Sequence, residues 1–89
     1  MMTKHFLVCY DIRNPKRLNR IGRVSRKHAV SLQYSVFYIS GSEQDLDRFL
    51  LLLEQEMDER EDDVRAYQIP DVQRVENMGQ SWLPDGIFI

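Results

Sequence analysis

The chain has 89 residues, of which 43% are hydrophobic and 29% charged, an ordinary composition for one soluble domain. A domain this short buries only roughly 60–65% of the surface that its unfolded chain exposes, so its own core is marginal and a homodimer is expected. The formal net charge of −2 argues against nucleic acid only as an average, and phosphate responds to a patch.

Lys4 to Ile12 reads as a central strand of nearly continuous apolar character, closed by Asp11. Cys9 sits within it and is the only cysteine, which excludes a disulfide framework and suits a reducing compartment; a small buried hydrophobe is the expected role. Asn14 followed by Pro15 signals a helix start, and the helix is expected to run to about Ala29. Leu18, Ile21, Ser25, His28 and Ala29 fall on one side of that helix, with Val24 at the margin. Lys16, Arg20, Arg23 and Lys27 form a stripe on the other side.

Val30 to Ser40 is β-rich, with Gln33-Tyr34-Ser35 marking a bulge or a bend between two short strands. Ser42 and Asp45 have the spacing of a capping box. Leu46, Phe49, Leu50, Leu53 and Met57 then repeat with the helical period. The acidic run from Glu54 to Asp63 is expected to be the solvated end of this second helix. Asp63 to Ile69 alternates and is stopped by Pro70, which makes it a strand, and residues 72–76 form a further candidate strand. The order β, α, β split in two, α, β predicts an α+β ferredoxin-like sandwich, with two helices on one face of an antiparallel sheet. It would occupy residues 1–79, and residues 80–89 would form an apolar tail docking on its own or a partner subunit. No apolar run reaches the ~20 residues that span a membrane, and no secretory leader is evident, so a cytoplasmic location is expected.

Charge is sharply segregated along the chain. Residues 12–41 carry seven basic and no acidic side chains, a local +7, whereas residues 42–63 carry ten acids against Arg48 and Arg60, a local −8. A solvated helix face usually mixes both signs. A stripe of one sign favours phosphate contacts, and the lone carboxylate of Asp11 beside it suggests a divalent metal against a phosphodiester. From the residues alone, a strand-end aspartate that caps a turn is the simpler reading of Asp11. His5 and His28 have no partner at motif spacing and are expected to be structural. Tyr34, Phe37 and Tyr38 are candidates for stacking on bases, although Phe37 has the pattern of a core residue.

Tyr10-Asp11-Ile12, the Arg-rich first helix and Gln33-Tyr34-Ser35-Val36-Phe37 together resemble the small CRISPR-associated adaptation proteins of the Cas-two family, over roughly residues 6–70. The resemblance implies a ferredoxin-like homodimer that binds duplex DNA, bridges dimers of the adaptation integrase during spacer acquisition, and acts as a metal-dependent endonuclease on RNA or DNA. It implies that Asp11 holds Mg²⁺ or another divalent cation, one aspartate coming from each protomer. Tyr10 and Phe37 would be its catalytic neighbours, and Lys16, Arg17, Arg20, Arg23 and Lys27 would meet nucleic acid. Ser31 and Tyr38 stand where many relatives have an arginine and an acid, which places the weight on bridging rather than hydrolysis. The alternative is a toxin-like ribonuclease of related fold.

Overall fold

The computed structural model describes residues 3–70, arranged as β1 (Lys4–Asp11), α1 (Pro15–His28), β2 (Val30–Gln33), β3 (Val36–Gly41), α2 (Glu43–Glu54) and β4 (Asp63–Ile69). The strands form one sheet in the order β2-β3-β1-β4, and every pairing is antiparallel. This is the ferredoxin-like α+β sandwich. The candidate strand at 72–76, the tail at 80–89 and the domain boundary between them lie outside the described residues. No described helix is long and apolar enough to cross a membrane.

Local chemistry sets each boundary. The Asn14 side-chain oxygen accepts from the backbone N–H groups of Lys16 and Arg17 at 2.9 and 3.1 Å, and Pro15 opens the helix where no N–H partner is needed. Arg26, Lys27 and His28 fill the last turn of α1 and complement its dipole. The Ser42 capping box is complete: Asp45 N–H donates to Ser42 Oγ at 3.1 Å, and Ser42 N–H donates to Asp45 Oδ2 at 2.8 Å. Gly41, just before it, has a φ of +148°, and a Cβ there would strike the Asp45 carboxylate.

Both helices cover one face of the sheet. Val8, Tyr10, Ile12 and Phe37 pack there against Ile21 of α1 and Phe49 and Leu53 of α2. On the first helix Gly22 joins Ile21 and Ser25 as buried, while His28, assigned to that side by periodicity, is exposed at the helix end. Ser25 is accommodated because its hydroxyl donates to the Ile21 carbonyl at 2.7 Å. The opposite face carries a second apolar cluster of Leu7, Val36 and Ile69 with Cys9, Leu32, Tyr38 and Tyr67 against them, and no described helix contributes to it. Burial there pushes the Cys9 thiol pKa up.

The acidic run is not the end of α2. The helix stops at Glu54, and residues 55–62 turn back toward the sheet. Acids are unfavourable at a helix C-terminus, and the last turn of α2 carries no basic residue. Asp62 has a better place, inside the molecule. Met57 accordingly reaches the core from this loop rather than from the helix.

Candidate nucleic-acid interface

The basic stripe forms the wall of an open depression of about 550 Å³ lined by Lys16, Asn19, Arg20, Arg23 and Arg26. All five are exposed on α1. Asn19 and Arg26 were not among the expected binding residues, although they lie three and ten positions beyond Lys16 and so share its side of the helix. Lys27 is exposed one turn beyond Arg23 but does not line the depression.

Arg17 is placed differently. Its Nε donates to Asp62 Oδ2 at 2.8 Å, and its Nη2 donates to Asp62 Oδ1 and Glu61 Oε2, both at 3.1 Å. The Asp62 side chain is 0% exposed and that of Arg17 only 16%. Arg17 is therefore turned into the protein and is not part of the exposed trough. Asp62 also accepts from the backbone N–H of Arg13 at 3.0 Å and of Asp58 at 2.9 Å. The Arg17 guanidinium, followed by these backbone donors, holds its carboxyl well below the usual range although burial opposes the shift. The same contacts push the Arg17 pKa up, with Asp62 the principal cause. Arg20 is more loosely engaged, its Nε 3.6 Å from Glu56 Oε2 with both side chains partly exposed. The segregated charges of the sequence thus meet within the molecule.

Asp11 is exposed at the C-terminal end of the interior strand β1, just before the turn into α1. Asp62, rather than Asp11, caps the turn between β1 and α1. Directly across the β1–β4 ladder Asp11 faces Asp63, whose Oδ2 accepts from Arg65 Nε at 3.0 Å. The pairing of Asp63 with Asp11 depends on strand register, which the sequence pattern did not specify. Among the described residues no three His, Cys, Asp or Glu side chains gather into a metal site.

Tyr10 and Phe37 lie in the core, their rings stacked with centroids 5.7 Å apart, and Phe37 is only 2% exposed. Their mutual packing holds the end of β1 in place. Burial pushes the Tyr10 pKa up, partly offset by the neighbouring Ser25 hydroxyl and Arg26. The three candidate stacking aromatics separate. Phe37 is core, and Tyr38 lies on the helix-free face with its hydroxyl 2.7 Å from His5 Nδ1. Tyr34 is 79% exposed on the turn between β2 and β3.

Comparison with known proteins agrees with this architecture. The chain is 42% identical over 82 residues, 92% of its own length and 78% of the relative's, to the "CRISPR-associated endoribonuclease Cas2 1" of Nitrosomonas europaea. It is 36% identical over 85 residues, 94% and 93% of the two lengths, to the "CRISPR-associated endoribonuclease Cas2 2" of Thermodesulfovibrio yellowstonii. The crystal structure of Streptococcus pyogenes Cas2 superposes with a TM-score of 0.68 at 29% identity, covering 79% of this chain and 92% of that one. The model of the family described as "CRISPR associated protein Cas2" matches residues 2–76, a span that takes in Asp11, the α1 trough and the whole sheet, and the chain belongs to that family.

Proposed function

We propose that the chain serves CRISPR spacer acquisition as a homodimer that binds duplex DNA along the α1 trough and bridges subunits of the adaptation integrase. The observation that carries this reading is the trough itself, where Lys16, Arg20, Arg23 and Arg26 project on one face with no acid on α1. Such a surface tracks phosphates and needs no base readout, since backbone contacts position without specifying.

The two endoribonuclease relatives favour a second activity, endonucleolytic cleavage, for which Asp11 is the residue to consider. Mg²⁺ takes near-octahedral oxygen ligands, commonly one or two carboxylates completed by water and phosphate. Asp11 and Asp63 supply carboxylates of that kind, and a second protomer would supply the same pair again. Bound there, the ion would polarise the phosphate and lower the pKa of a coordinated water. The protein's own part is to hold the end of β1 in register with β4 and to keep Asp11 in solvent while Tyr10 and Phe37 anchor it from below.

The test is binding of a duplex across a salt series. Four phosphate contacts give a slope of log K against log salt of about −3.6. A slope near zero would overturn the reading. Cleavage of single-stranded RNA and duplex DNA by wild type and Asp11→Asn, with Mg²⁺ and with EDTA, decides the second activity.

A further inference from the structure

Beside the trough lies a smaller recess of different chemistry. It holds about 80 Å³ between α1 and the β2–β3 hairpin, and Asn19 and Arg26 line both depressions. Its remaining polar wall is Ser31, Gln33, Tyr34 and Ser35, over a floor that includes Tyr10. Arg26 lies back along its own helix, its Nη1 only 3.1 Å from where a Cβ on Gly22 would stand. Unlike Arg17 and Arg20, Arg26 enters no ion pair among the described residues. Nor do the carboxamides of Asn19 and Gln33 hydrogen-bond to any described residue.

The turn that frames this recess is held in an uncommon conformation. Ser35 has a φ of +65°, and its carbonyl accepts from the Tyr10 N–H at 3.1 Å. A non-glycine residue in the left-handed region costs free energy, and such strain gathers at ligand sites. Here it fixes the residue after Tyr34, an aromatic ring that is 79% exposed and so contributes little to the core.

We infer that the recess is a subsite for one unpaired nucleobase, which stacks on Tyr34 and inserts its polar edge between Arg26, Asn19 and Gln33. The inference rests on the trough being a track for the phosphate backbone. The volume sets the ligand: about 80 Å³ holds a few waters, so it admits the edge of a base and excludes a nucleoside or a base pair. A base within a duplex has its Watson–Crick edge occupied, so the subsite takes a single-stranded segment. Arg26 carries donors only, so it favours an edge with two carbonyls, as in uracil and thymine, over adenine, whose acceptor nitrogens N1 and N7 each lie beside a donor amino group; the two carboxamides match either polarity.

Binding of rU12, rA12 and a 12-base-pair duplex to the full chain, measured by fluorescence anisotropy, tests this with Tyr34→Ala and Gln33→Ala, neither of which changes the net charge. Wild type is expected to bind rU12 at least about fivefold more tightly than rA12, and each variant to lose about tenfold on rU12, the order of one stacked base. Duplex affinity and its salt slope should stay unchanged, which also shows that the variants fold. Unaltered rU12 binding in both variants, a preference for rU12 over rA12 that persists in them, or equal losses on duplex and single strand would overturn the subsite while leaving the backbone track. Absence of salt-sensitive binding in wild type would overturn both.

Discussion

Arg17 and Asp62, 45 residues apart, form a two-pronged ion pair in which Nε and Nη2 of the guanidinium meet both oxygens of a fully buried carboxylate. The contact joins the first turn of α1 to the loop that leads into β4. Through the Arg13 backbone N–H it also fixes the turn that follows Asp11. A pair of this geometry combines orientation with energy. Its loss leaves the remaining partner stranded, which costs more than the pair contributes net.

Arg17 and its neighbours on α1 should therefore separate by experiment. Arg17→Ala is expected to lower Tm by more than about 10 °C, since breaking a buried pair costs about 3–5 kcal/mol and each kcal/mol shifts Tm by roughly 4–8 °C in a domain of this size, with little change in the salt slope of DNA binding. Arg20→Ala and Arg23→Ala should leave Tm within a few degrees and each reduce that slope by about 0.9. Thermal melts and salt titrations of the three variants check the division. A large slope change in Arg17→Ala with an unchanged Tm would return Arg17 to the interface.

Acid should unfold the chain through Asp62. Its pKa is depressed in the folded state, chiefly by the Arg17 hydrogen bond, so its contribution is fully present above the unfolded value of about 3.9. That contribution is lost as pH falls below this value toward the folded pKa. Glu43, lowered by Lys4, and Asp45, lowered by the Ser42 backbone and hydroxyl, act in the same direction. The urea midpoint is expected to drop steeply below pH 4 in wild type. Asp62→Asn should start from a lower midpoint at pH 7 and show a shallower drop; an equally steep one would place the acid sensitivity elsewhere.

Much of this arrangement was legible in the sequence because it is local. The Asn14 cap, Pro15, the Ser42–Asp45 box and the period of Leu46, Phe49, Leu50 and Leu53 each report on a few neighbouring residues, and each element formed where they indicated. The resemblance carried by Tyr10-Asp11-Ile12 and Gln33 to Phe37 gave the family. The fate of the acidic run was not legible, since the partner that draws Asp62 inward lies 45 positions away. For the same reason Arg17 resembles the exposed cations along the chain, and only packing distinguishes it. The alternation from Asp63 marks a strand start, and only the β1–β4 register sets Asp63 opposite Asp11.

Gly41 should resist substitution. Its positive φ and the Asp45 carboxylate beside its missing Cβ mean that Gly41→Ala strains the backbone and displaces the capping box together. Ser42→Ala removes the cap alone, at a cost of about 1 kcal/mol. Gly41→Ala is expected to cost more than Ser42→Ala in urea unfolding. The reverse order would mean that the turn relaxes readily.

Phe37→Ala tests whether the signature aromatic is structural. Phe37 is almost fully buried, against Tyr10, and truncating such a ring costs about 3–5 kcal/mol through lost transfer energy and a cavity. In a domain with a marginal core this is expected to leave a largely unfolded chain. Phe37→Leu keeps most of the volume and should restore the fold and nucleic-acid binding together. A folded Phe37→Ala protein that binds duplex but no longer cleaves RNA would instead make Phe37 part of a reactive site.

Asp11→Asn isolates chemistry from structure. Asp11 is exposed and faces Asp63, so removing its charge relieves a like-charge pair across the ladder, and stability should stay the same or rise slightly. Duplex affinity should not fall, because the trough cations are untouched and a negative charge near the backbone has gone. Mg²⁺-dependent cleavage, where wild type shows it, should fall by at least about a hundredfold, since an amide oxygen is a much weaker ligand for a hard cation than a carboxylate. Asp63→Asn is the control that register provides: a comparable loss of cleavage makes both carboxylates of the pair contribute to the ion, whereas full activity leaves Asp11 to act with its copy in the second protomer. Retention of metal-dependent cleavage in the Asp11→Asn, Asp63→Asn double variant would remove this end of the sheet from the chemistry and leave the protein a DNA-binding scaffold there.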